Sequence, residues 1–266
     1  MTANAFYSRV LTELLRDGSI SSSDSILVVC GSVPDRDVLL EHEFKNVTIS
    51  NLDDRVAEKA LAPFAWSHQD AENLTYADGS FDFVLVHAGL HHCYSPHRAL
   101  LEMYRVARKG VVVYEARDSA TMRLAKRLGF ATDYEIEAVS SWEVAGGGVA
   151  NGAIPNFVYR WTENEVMKTI KSCEPRYVPG VRFFYGLLLP HYRFDRTSRP
   201  VHKIILRTLA LGAKLYARVF PKQGNEFAFV IKKGGKLQPW LCEDGGVIAV
   251  SVAAVTAMGR SNKAQP

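Results

Sequence analysis

The run Phe81-Asp82-Phe83-Val84-Leu85-Val86-His87-Ala88-Gly89-Leu90-His91-His92 reads as a buried strand that stops abruptly at a cluster of polar, protonatable groups. In an open α/β sheet, chemistry sits at such strand ends. Asp70-Ala71-Glu72-Asn73-Leu74 precedes the run, and a helical stretch leads from it to Gly110-Val111-Val112-Val113-Tyr114-Glu115. That order suggests a nucleoside-binding sheet.

The rest of the chain fits the same plan. Phe6, Val10, Leu11, Leu14 and Leu15 recur at helical spacing before the stop signal Asp17-Gly18. Strands are expected at residues 26–30, 47–50, 66–69, 83–87 and 111–114, with helices at 36–44 and 119–129. Strands alternating with helices imply right-handed crossovers and a parallel sheet. Thr162-Glu163-Asn164-Glu165 has the form of a capping box opening a helix to about residue 172. Two late strands are expected at 176–186 and 225–232, with a helical insertion at about 190–223 between them. The main domain then covers residues 1–236, and 237–266 is expected as a tail. Residues 140–156, with Gly146-Gly147-Gly148 and Pro155, suit a mobile loop that is either a lid or a linker.

With 266 residues, 47% of them hydrophobic, the chain can bury one large core. A net charge of +4 without long Lys/Arg runs gives no dedicated footprint for nucleic acid. Cys30, Cys93, Cys173 and Cys242 lack metal-ligand spacing, and no basic, apolar leader opens the sequence, so reduced thiols in the cytoplasm are expected. The apolar stretch at 246–258 is too short to span a bilayer, which needs about 20 residues.

A nucleoside ligand asks three things of such a sheet: a tight first turn, a polar residue after the second strand for ribose, and groups after the third strand for the base. Cys30-Gly31-Ser32, Asn51 with Asp53, and Asp70 with Ala71 and Glu72 are the candidates.

Four motifs carry a family resemblance. They are Asp70-Ala71-Glu72-Asn73-Leu74, Asp78-Gly79-Ser80-Phe81-Asp82, Leu90-His91-His92 and the stretch from Leu101 to Gly110. With them the sequence resembles the class I S-adenosylmethionine-dependent methyltransferases of the small-molecule group, best over residues 25–118. The resemblance implies a Rossmann-like, doubly wound seven-stranded sheet with the last strand antiparallel. It also implies S-adenosyl-L-methionine as cofactor. By position, Cys30, Gly31 and Ser32 would meet the methionine portion, Asn51 or Asp53 the ribose, Asp70 and Ala71 the adenine, and His87 would lie beneath the sulfonium. The family's first turn is richer in glycine than this one, where only Gly31 remains, and Asn51 stands where an acid is usual.

The implied reaction is methyl transfer to an oxygen, nitrogen or carbon nucleophile of a small molecule. The alternative is a degenerate member of the fold that binds a ligand or partner without catalysis. A nicotinamide oxidoreductase is disfavoured by the missing dinucleotide fingerprint. His87, His91 and His92 are candidates for a general base, or else simple backbone partners at a strand exit. Strand alternation would send neighbouring histidines to opposite faces, so no metal is expected. Glu115, Arg117 and Asp118 either face substrate or form surface ion pairs. Finally, Lys203, Arg207, Lys214 and Arg218 make a basic stripe on an otherwise apolar 201–220 helix. That helix packs on the domain, or else admits a lipophilic substrate and touches anionic lipid peripherally.

Overall fold

The computed structural model describes residues 4–55, 58–141, 146–189 and 200–263. Seven strands form one sheet: β1 (Ser25–Val29), β2 (Asn46–Asn51), β3 (Ala65–His68), β4 (Phe81–His87), β5 (Ala107–Ala116), β6 (Gly180–Gly186) and β7 (Glu226–Lys232). Their spatial order is β3-β2-β1-β4-β5-β7-β6, and β7 is antiparallel to both of its neighbours. This is the Rossmann-like, doubly wound sheet with its last strand reversed. The strand order turns back between β1 and β4, and ligands of open α/β sheets bind at that switch point.

Helices cover both faces: α1 (Ala5–Arg16), α2 (Val33–Glu41), α3 (Pro96–Val106), α4 (Ala120–Arg127), α5 (Ile136–Ser140), α6 (Glu163–Cys173), α7 (Pro200–Val219) and α8 (Val252–Lys263). Residue alternation along the central strands divides the interior. Ile26, Val28, Leu85 and Val112 join α1 and α2, whereas Leu27, Val29, Val84, Val86 and Val113 join α3 and α6. Burial of the central strands on both faces is why their sequences read as continuous apolar runs.

Several boundaries differ from expectation for local reasons. Helix α2 begins at Val33 rather than residue 36, because Ser32 and Asp35 form a capping box and Pro34 opens the helix. Thr162 caps α6 by accepting from the Glu165 N–H, but the Glu165 carboxylate turns to the Tyr159 hydroxyl and His97 instead of reaching back. Residues 176–178 precede β6 and pair with the segment after β7, through Val178 N–H to Lys236 O and Gln238 N–H to Arg176 O. Residues expected as a tail form a hairpin, β8 (Leu241–Asp244) with β9 (Val247–Val250), followed by α8.

The insertion between β6 and β7 contains α7. Residues 190–199 of it lie outside the described residues, as do the side chains of Lys203 and Arg207 from the basic stripe. On the remainder of α7, Leu211, Leu215 and Val219 face solvent together with Lys214 and Arg218. No described helix is long and apolar enough to cross a membrane.

Asp82 anchors the end of the sheet remote from the switch. It accepts from the Ser25 N–H and hydroxyl and from Arg108, and pairs with Lys109. Partial burial opposes its ionisation, but those donors hold the carboxyl well below the usual carboxylate range.

Candidate active site

A cavity of about 420 Å³ opens at the carboxyl ends of β1, β2 and β4, within the usual size range of small-molecule sites. Cys30 and Ser32 contribute from the first turn, Asn51 to Asp53 from the end of β2, Gln69 to Glu72 after β3, and His87 to Gly89 after β4. Cys93, Tyr94 and part of the 147–151 loop complete the wall. The structure therefore brings Cys30, Ser32, Asn51, Asp53, Asp70, Ala71, His87 and His92 to one hollow.

Two expected residues stand back from it. Gly31 sits behind the wall: a Cβ there would lie 2.8 Å from the Ile49 and Val28 side chains, so its constraint comes from the core. His91 is buried beneath the wall, with Nδ1 2.8 Å from the Glu115 carboxylate. The other Glu115 oxygen accepts the Leu90 N–H at 2.7 Å, locking the exit of β4 to the end of β5.

The first turn works with few glycines because other residues take up the awkward geometry. Cys30 has φ +53° and Ala88, at the matching turn after β4, has φ +52°. Left-handed backbone costs an L-residue about 1–2 kcal/mol, and such strain concentrates at functional sites. Gly89 then supplies the close approach that the first turn would otherwise need, since its bare Cα faces Cys30.

At the ribose position the donors and acceptors are partly used. Asn51 donates from Nδ2 to the Gly31 carbonyl at 3.0 Å and accepts the Asp53 N–H at 3.0 Å. The Asp53 carboxylate takes a two-point grip from Arg55 at 2.7 and 2.8 Å, and these bonds hold it below the ordinary carboxylate range. Arg55 continues to Asn151 Oδ1 at 2.8 Å. The 147–151 loop is thereby tied to the end of β2 across the mouth. Asp70 is exposed at the lip, and one of its oxygens accepts the Glu72 N–H at 2.9 Å. Glu72 in turn accepts the N–H groups of Tyr94 and Ser95, fixing the opposite wall.

His87 is the polar group at the floor. Its ring packs 4.7 Å from Tyr7 of α1 and edge-on to Tyr114 at 5.9 Å. Burial lowers its pKa below 6.5, with the nearby Glu115 charge only partly offsetting this, so the imidazole is neutral at pH 7. His92 is also lowered, by burial and then by the His91 charge. His91 behaves oppositely: burial disfavours its charge, but Glu115 and Glu135 overcome this and raise it to about 10. Glu135 is held at about 2, chiefly by His91.

Nothing in the residue pattern pointed to Tyr7, Arg55, Asn151 or Glu135 at the site. Tyr7 hides in an ordinary amphipathic helix and the other three on loops. The Gly146-Gly147-Gly148 cluster was the one available signal for the loop. Of the residues at the end of β5 and just beyond it, Glu115 and Arg117 are buried rather than lining the cavity. Arg117 pairs with Glu163 and stacks over Tyr185 and Phe227. Asp118 pairs with Arg123 at 2.9 Å.

Comparison with known proteins bears on the segment that builds this cavity. A methyltransferase-domain family model matches residues 28–114, the segment from β1 to β5 that builds most of the wall. Residues 28–114 carry a methyltransferase domain, set in the fold that the class I S-adenosylmethionine-dependent enzymes share. S-Adenosylmethionine is accordingly its cofactor, and the mixed lining of the cavity, with apolar Ala71 and Leu52, exposed Asp70 and the His87 imidazole, fits a ligand of that mixed polarity. Among solved structures, a candidate methyltransferase of Bacillus halodurans aligns with a TM-score of 0.53 at 14% identity, over 85% of this chain and 99% of that one. The YcgJ protein of Bacillus subtilis aligns with a TM-score of 0.50 at 12% identity, over 86% and 99%. At such identities these likenesses show a shared fold. No curated protein sequence matches the methyltransferase.

Proposed function

We propose that this methyltransferase acts on a small molecule bearing an oxygen, nitrogen or carbon nucleophile. The observation that carries the reading is the neutral, largely buried His87 on the floor of the cavity, with His92 on the same wall. Cys30 and Ser32 would hold the methionine portion of the cofactor, Asn51 and Asp53 the ribose, and Asp70 with Ala71 the adenine. When bound, the cofactor supplies an electrophilic methyl group on sulfur.

The chain's own residues then have limited tasks. They hold donor and acceptor in line and exclude water, which can supply much of the rate without covalent help. His87 can accept a proton from an acceptor hydroxyl or amine because it enters the reaction uncharged. The 147–151 loop, tied down by Arg55, covers the bound ligands. Exposed Leu211, Leu215 and Val219 beside Lys214 and Arg218 support a peripheral lipid contact and a lipophilic acceptor. The four free cysteines support a reducing compartment such as the cytoplasm.

Calorimetric titration with S-adenosylmethionine and S-adenosylhomocysteine tests the cofactor placement. Asp70→Ala should weaken binding about tenfold, the loss of one charged hydrogen bond, without lowering Tm. Unaltered affinity would remove Asp70 from the adenine site. A panel of hydroxyl, amine and carbon-acid acceptors, read by mass gain of one methyl, then tests the acceptor class.

A further inference from the structure

His91 and His92 are sequence neighbours whose rings nevertheless lie side by side, 4.6 Å apart and inclined by 37°. Strand alternation ends at His87, and Leu90–His92 form a 3-10 turn, so the two imidazoles share one side instead of opposing each other. Across from them stands Glu135, on the segment entering α5. Its Oε2 is 3.5 Å from His91 Nε2 and 3.6 Å from His92 Nε2. The three ligating atoms all lie within 4.8 Å of one another.

These separations are long for hydrogen bonds, whose usual range ends near 3.2 Å. They suit atoms sharing a common centre: two ligands each about 2.1 Å from a tetrahedral ion lie roughly 3.4 Å apart. The surroundings are arranged in the same sense. Glu115 engages His91 at Nδ1, which fixes the ring and leaves Nε2 directed at the cluster. Carboxylates placed behind histidines in this way orient metal-binding rings. Glu135 is steadied by Asn156 Nδ2 at 3.3 Å.

From this geometry we infer that His91, His92 and Glu135 form a binding site for a divalent transition-metal ion of the Zn²⁺ type. Two imidazoles and one carboxylate are a borderline donor set that suits Zn²⁺ and its neighbours over Mg²⁺ or Ca²⁺. Three protein ligands leave a fourth position open, the pattern of a reactive rather than a purely structural site. His92 lines the cofactor cavity, so the ion would sit at its edge. There it would hold an oxygen or nitrogen of the methyl acceptor, a consequence that rests on the methyl-transfer reading above.

The test uses the full chain, stripped with chelator, dialysed against Zn²⁺ and analysed by elemental mass spectrometry. Co²⁺ loading gives a second readout through its visible absorption. His92→Ala and Glu135→Gln are the informative variants because both side chains are partly exposed, and thermal melts confirm their folding. The expected result is one Zn²⁺ per chain, with affinity falling at least tenfold in each variant and by 10- to 100-fold in Glu115→Gln. Absence of stoichiometric metal, or equal affinity in the wild type and both folded variants, overturns the site and leaves a histidine bridged between two carboxylates. S-Adenosylmethionine titrations on the same samples separate the two readings, since protein that binds cofactor but takes up no stoichiometric Zn²⁺ after dialysis against it defeats only the metal site.

Discussion

A Cβ placed on Gly89 would lie 2.5 Å from the Cβ of Cys30. The turns after β1 and β4 therefore touch at the switch point, and one of them has to lack a side chain. This contact, more than Gly31, sets the shape of the cavity's inner edge.

Gly89→Ala should consequently destabilise the protein by about 1–3 kcal/mol through overpacking and also weaken cofactor binding. Cys30→Gly removes the opposing Cβ and relieves the left-handed backbone at φ +53°, so the double variant should recover Tm. Differential scanning calorimetry of the three variants checks this. A double variant no more stable than Gly89→Ala would place the constraint elsewhere.

Arg55 joins Asp53 to Asn151 and so ties the loop across the cavity mouth. An exposed ion pair of this kind is screened by solvent and contributes little to overall stability. Arg55→Ala is expected to speed release of S-adenosylhomocysteine by roughly 2- to 5-fold with little change in Tm. Stopped-flow release rates and limited proteolysis within residues 146–156 report the outcome.

Asp35 is fully buried behind the first turn, with its Oδ2 accepting the Ser32 N–H at 2.8 Å and its Oδ1 unpartnered. Burial raises its pKa from 3.8 to about 7. The folded state therefore binds a proton more tightly than the unfolded state. Its stabilising contribution is complete below pH 3.8 and is lost as pH rises toward 7. The change is of order 4 kcal/mol at most. Asp35→Asn keeps an acceptor for Ser32 and stays neutral, so its denaturation midpoint should exceed that of the wild type at pH 8 and converge with it near pH 4. Parallel pH profiles would contradict the assignment.

His87→Ala should lower kcat about 100-fold or more if the imidazole accepts the acceptor's proton. Because burial depresses the His87 pKa below 6.5, wild-type activity should be flat at neutral pH and decline on the acidic side, as the base becomes protonated. The His87→Ala profile should lack that decline. An unchanged acidic limb would assign it to another group.

The legible parts of the fold were those where burial dictates the pattern. The strand ending at His87 and the apolar run of β1 announced themselves because both faces are covered. The capped start of α6 was equally plain, since Thr162 is the kind of residue that satisfies a free N–H. The early start of α2 was not, because Asp35 serves the cap while looking like a surface acid. The hairpin after residue 240 rests on a short local pairing whose apolar residues stay largely exposed, so no burial pattern marks it. At the site, residues arriving along the sheet edge could be placed by position alone. Glu135, Arg55 and Asn151 could not, since they lie on connections between the regular elements and nothing in their spacing encodes a distant partner. The misplaced expectation for His91 and His92 came from extending strand alternation past the end of β4 into a tight turn.

The carboxylate of Glu115 serves the Leu90 amide and the His91 ring at once, so these two groups cannot drift apart from the β5 edge that carries it. One half of the crevice is thus a fixed bench bolted to the sheet, whereas the facing half is borrowed from the connection between β5 and α6. Substitutions in that connection would therefore reshape the facing half of the crevice without disturbing the bench.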